Sequence, residues 1–103
     1  MLAELEIIPV GTRSASVGPL VSKIIDLVDK SGLEYRAGPM GTVVEGSWDE
    51  VMSLARRCHE ALLASCDRVI TTIRLDDRKD KTGPRIEQKV ASMEKTLGRR
   101  LRR

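Results

Sequence analysis

Four segments of this chain alternate apolar and polar residues with period two, and three others repeat apolar residues with period 3.6. Their order along the sequence leaves few folds open. Residues 3–10 alternate first, with Ala3, Leu5 and Ile7 on one side and Glu4, Glu6 and Ile8 on the other. Pro9, which cannot donate to a ladder, should end this strand or mark an edge. A small polar loop follows at residues 11–16. A helix is then predicted over residues 17–31, with Leu20, Ile24, Leu27 and Val28 as its stripe, widened by Val21 and Ile25. Gly32 fits the position just past its end.

Residues 33–37 alternate again, and residues 42–46 form a third strand after the breaker Gly38-Pro39-Met40-Gly41. So short a link implies an antiparallel hairpin. Ser47 with Glu50 three residues later has the spacing of a capping box. The helix it starts should run to about Ser65, with Val51, Leu54, Ala55, Cys58 and Leu62 inward. Residues 68–76 are the clearest strand, with Val69, Thr71, Ile73 and Leu75 on one face. Pro84 suits the start of a last helix carrying Ile86, Val90, Met93 and Leu97.

The order β-α-β-β-α-β-α predicts an α+β ferredoxin-like sandwich. In it a four-stranded antiparallel sheet carries two helices on one face, and a C-terminal helix is added. At 103 residues this is one domain, taken as residues 1–97 with a basic tail at 98–103. The open sheet face would hold Glu4, Glu6, Ile8, Glu34, Arg36, Val43, Glu45, Ile70, Thr72 and Arg74. Its aliphatic residues, its exposed edges and the narrow stripe of the last helix favour a homo-oligomer, a dimer or tetramer.

Composition removes several function classes. The formal charge of +3 comes from four Arg in the last six residues; without them 14 basic residues face 15 acidic ones. There is no Phe, one Trp and one Tyr, so no aromatic platform for stacking bases is available. Nucleic acid is therefore not an expected partner. Two Cys are too few for a disulfide scaffold, and no segment has the length and apolarity of a membrane helix. With no basic leader at the N-terminus, a cytoplasmic location is expected.

No catalytic constellation stands out. Cys58 and His59 are adjacent and diverge on a helix, while Cys66 lies about 12 Å further along the axis, too far to share a metal. His59, the single histidine, fits a hydrogen-bonded helix-boundary position better than a triad. Gly11-Thr12 and Gly41-Thr42 match neither a dinucleotide fingerprint nor a phosphate loop, and Ser14 or Ser16 is expected to cap the first helix. The expectation is a non-enzyme with no cofactor and no metal.

Several segments nevertheless carry a likeness. They are Ile8-Pro9-Val10-Gly11-Thr12, the run from Gly32 to Gly46, Cys58-His59-Glu60, the run from Arg68 to Arg78, and Glu87-Gln88-Lys89-Val90. The block Gly38-Pro39-x-x-Thr42-x-x-Glu45-Gly46 is the most specific. Together they resemble the thiamine-binding-protein family of YkoF-like domains, over nearly the whole chain. The resemblance implies a ferredoxin-like subunit, commonly a dimer of dimers, that binds thiamine or its hydroxymethylpyrimidine part without catalysis, as carrier, buffer or sensor.

On that basis the candidate ligand residues are Glu45, Thr42, Thr12, Ser14 and Met40. Glu45 would accept from the pyrimidine amino group, Thr42, Thr12 and Ser14 would complete the polar edge, and Met40 with Trp48 would supply ring contact. Thr42 and Glu45 are three apart and should point to opposite faces of a regular strand. The alternative is a regulatory or assembly module of the same fold, serving another small metabolite or a protein.

Overall fold

The computed structural model describes residues 1–102; Arg103, the last residue of the basic tail, lies outside them. The elements are β1 (Leu2–Val10), α1 (Gly18–Lys30), β2 (Glu34–Ala37), β3 (Thr42–Glu45), α2 (Trp48–Leu63), β4 (Arg68–Asp76) and α3 (Arg85–Leu97). The sheet order is β2-β3-β1-β4, with every neighbouring pair antiparallel. This is the expected ferredoxin-like α+β arrangement, with α3 appended.

The inward faces of α1, α2 and the sheet form one core. Val28, Val44, Val51, Leu54 and Cys58 are fully buried there, with Ala3, Leu5 and Leu62 beside them. The α2 residues expected to face inward all do so. The capping box is also present: the Glu50 N–H donates to Ser47 Oγ and the Ser47 N–H donates to Glu50 Oε1. The N-terminus of α1 differs from expectation. Its cap is Val17, with no side-chain bond, because Ser14 Oγ instead accepts from the Ser16 N–H inside the loop.

Pro9 does not end β1, and β1 is a central strand. The reason lies in unequal lengths. β1 pairs with β4 along nine residues, Leu2↔Asp76 through Val10↔Arg68. It pairs with β3 only from Leu2↔Glu45 to Leu5↔Thr42. Beyond Leu5 the β3 side of β1 is a local edge, and a proline with no N–H is tolerated there.

α3 lies across one end of the sheet face away from α1 and α2, where it packs against β3. Leu2 is buried on that face, Ile86 and Val90 are half-buried, and Met93 and Leu97 are about half exposed. Gly98, at φ 72°, closes the helix in a left-handed conformation, and its N–H donates to the Glu94 carbonyl. The tail then turns back, with the Leu101 N–H donating to Glu94 Oε2 at 2.7 Å.

Candidate functional site

The unequal pairing of β1 opens a gap in the sheet. A cavity of about 340 Å³ fills it, walled by residues 5–9 of β1, by α1 and by residues 37–42 of the hairpin turn. From α1 come Val21, Ile24, Ile25 and Val28, joined by its cap residue Val17. This explains the widened apolar stripe of that helix. Val21 and Ile25 lie beside the core residues Ile24 and Val28 and face the cavity, and Val21 is 39% exposed for that reason.

The hairpin turn supplies the opposite wall. The Gly38 N–H donates to the Gly41 carbonyl, closing the turn. A Cβ at Gly41 would meet the Leu5 carbonyl oxygen at 3.3 Å, a tight contact, so any side chain there would have to push the turn slightly away from β1. Pro39 and Met40 then project beside the cavity, and Met40 is 83% exposed. Thr42 sits at the base, 93% buried, with no hydrogen-bond partner for its hydroxyl among the described residues. That hydroxyl is free to donate or accept a hydrogen bond with a molecule in the cavity.

Of the five residues singled out from the sequence, the fold brings Met40 and Thr42 together in this cavity. Thr12 and Ser14 lie in the β1–α1 loop, where the Thr12 hydroxyl donates to the Ser14 carbonyl; neither lines the cavity. Glu45 lies on the other sheet face. Its two carboxylate oxygens accept the backbone N–H groups of Arg85 and Ile86 at 2.9 and 3.0 Å, so it caps α3. Thr42 and Glu45 thus point to opposite faces, as regular alternation requires. Trp48 is 59% exposed and also lies outside the cavity. Sequence reasoning missed Glu6, Ile7 and the α1 wall as cavity residues. Their signal was Pro9 inside an alternating strand.

The remaining chemistry-bearing groups are structurally engaged. His59 Nδ1 and Thr71 Oγ1 are 2.6 Å apart across α2 and β4. Burial pushes the Cys58 thiol above its ordinary pKa, which keeps it protonated and a poor nucleophile. Among the described residues no three His, Cys, Asp or Glu side chains are placed to hold a metal, and no helix is long and apolar enough to cross a membrane.

Fold and cavity together define a ferredoxin-like domain with a largely apolar cavity set into its sheet. The chain belongs to the thiamine-binding protein family, whose model matches residues 3–94. It is 38% identical over 93 residues to the UPF0045 protein MJ1052 of Methanocaldococcus jannaschii, covering 90% of this chain and 91% of that one. It is 36% identical over 101 residues to the UPF0045 protein YqgV of Bacillus subtilis, covering 93% and 96%. The crystal structure of the M. jannaschii protein superposes with a TM-score of 0.83 over 89% of this chain and 93% of that one. A Thermotoga maritima protein provisionally named for thiamine biosynthesis or salvage shares the fold at a TM-score of 0.76 and 21% identity, over 89% and 96%.

Proposed function

We propose that this protein binds thiamine or its hydroxymethylpyrimidine moiety in the cavity between β1, α1 and the β2–β3 turn, and that it does so without catalysis. The observation that carries the reading is the unpartnered Thr42 hydroxyl at the base of a largely apolar cavity, in a chain of the thiamine-binding family. A cavity of this volume lies at the small end of the range of about 300–1,000 Å³ typical of ligand sites. It suits a compact heterocycle better than a nucleotide. Aliphatic walls favour a flat ring, and one or two polar groups suffice to orient it. A non-catalytic role is supported by the engagement of the chain's one histidine and its buried thiol, since His59 bonds Thr71 and Cys58 is sealed in the core.

Calorimetric titration with thiamine, hydroxymethylpyrimidine and an unrelated cationic heterocycle tests this. Saturable binding of the first two and not the third is expected. Thr42→Val, which keeps the shape and removes the hydroxyl, should weaken that binding about tenfold. Failure of both pyrimidine ligands to bind the native protein overturns the reading. Unchanged affinity in Thr42→Val removes this cavity as the site.

Self-association is part of the same proposal. Ile8 and Ile70 are cross-strand partners, each 43% exposed, and Met93 and Leu97 continue the apolar surface of α3. A dimer or tetramer is expected in sedimentation equilibrium; a monomer at high concentration rules it out.

A further inference from the structure

The gap in the sheet leaves part of the backbone of β1 without a partner, and the register says which part. In an antiparallel strand the N–H and C=O of one residue point to the same side, and successive residues alternate sides. The Gly46 N–H donates to the Met1 carbonyl, so the odd-numbered residues of β1 present their backbone groups toward β3. The even-numbered residues present theirs toward β4, in a register that runs unbroken from Leu2 to Val10. Ala3 and Leu5 face Val44 and Thr42 across the β3 ladder. The ladder stops there, and no hydrogen bond outside it joins the backbone of Ile7 or Pro9 to another segment among the described residues.

Three backbone groups are therefore left facing the cavity side: the Ile7 N–H, the Ile7 C=O and the Pro9 C=O. Pro9 has no N–H to strand. The cavity lining includes Ile7 and Pro9 as well as Thr42. Partly buried backbone groups of this kind are regularly satisfied by water or by a ligand. A further strand would be a poor occupant, because Pro9 offers no donor and α1 with the turn closes both flanks.

We propose that the free edge at Ile7 is the element that reads the ligand, and that it selects a flat heterocycle carrying a ring-nitrogen acceptor beside an exocyclic amino donor. The Ile7 N–H donates to the ring nitrogen and the Ile7 C=O accepts from the amino group. Val21, Ile25 and Met40 cover the faces of the ring. This rests on the function proposed above and deepens it: the aminopyrimidine edge has this acceptor–donor order. An edge of backbone groups discriminates strongly, because a ligand with the opposite order sets donor against donor and acceptor against acceptor in a site sheltered from water.

The test uses the native protein and two ligands, hydroxymethylpyrimidine and its analogue in which oxygen replaces the amino group. The analogue carries a ring N–H beside a carbonyl, the inverted order. It should bind about 100-fold more weakly. Amide hydrogen exchange supplies a second readout. In the free protein the Ile7 N–H should exchange faster than those of Glu6 and Ile8, which bond β4, and hydroxymethylpyrimidine should slow it selectively. Equal affinity for the two ligands, or binding that leaves Ile7 exchange unchanged, overturns the edge as the reader while the binding function stands. Failure of either ligand to bind overturns the function itself, and the edge proposal with it. Ile7→Pro sharpens the result. It removes that one N–H without breaking a ladder bond, and should weaken hydroxymethylpyrimidine binding while circular dichroism stays native.

Discussion

The two faces of the sheet hold their helices by different physics. On one face α1 and α2 are fixed by aliphatic side chains with no exposure, including Val28, Val51 and Leu54. On the other, α3 is held mainly by polar contacts. Glu45 caps its first turn, Lys89 pairs with Asp76 at 2.6 Å, and Glu87 pairs with Arg36. Exposed ion pairs contribute little each and weaken in salt, whereas apolar burial does not depend on salt in that way. The comparison separates the part of the molecule that defines the fold from a part attached to it.

Substitutions should divide along the same line. Leu54→Ala, at a fully buried position, should lower global stability by about 2–5 kcal/mol in chemical denaturation, the largest effect of the set. A loss below about 1 kcal/mol would mean the α2 face is not the core. Glu45→Ala removes the acceptor of two helix N–H groups. It should cost about 1–2 kcal/mol, seen as faster amide exchange confined to α3. If α2 amides accelerate equally, α3 is integral to the cooperative unit and the contrast fails. Ser47→Ala removes one half of the α2 capping box and should cost about 1 kcal/mol, spread over the whole molecule in the thermal midpoint.

The smallest effect is that of acid. Lys89, by its hydrogen bond and charge, holds the Asp76 carboxyl below its ordinary pKa. A depressed carboxyl stabilises the folded state above the unfolded-state value, about 3.9 for Asp, and that contribution disappears as pH falls through the lower folded value. The Ser47 amide and hydroxyl hold Glu50 low in the same way. Both helices thus lose an anchor on acidification, and only α3 lacks a deep apolar face to retain it. Exchange in α3 should therefore rise below about pH 4 before that in α2. Simultaneous loosening would erase the distinction.

What could be read from the sequence was whatever is encoded locally. Alternation placed β4 at residues 68–76, the spacing of Ser47 and Glu50 placed the start of α2, and its inward stripe was complete. The opposition of Thr42 and Glu45 also follows from alternation alone. The cavity is a different kind of object. It arises from the difference between a nine-residue pairing and a four-residue one, a property of strands far apart in sequence. Pro9 carried a trace of it, since a proline inside a central strand requires an unpaired side. The role of Glu45 was hidden for the same reason: its partners, Arg85 and Ile86, are about forty residues away.

The long pairing of β1 with β4 also orders events during synthesis. The first strand of the chain finds its full partner only in residues 68–76, after most of the domain has been made. Until then β3 can hold residues 2–5 alone, and residues 6–10 have no strand to lie against. Contacts that close so large a stretch of chain form slowly. The wall that carries Ile7 is thus the last part of the sheet to assemble, and a nascent chain stalled before β4 would have helices and a hairpin but no finished cavity.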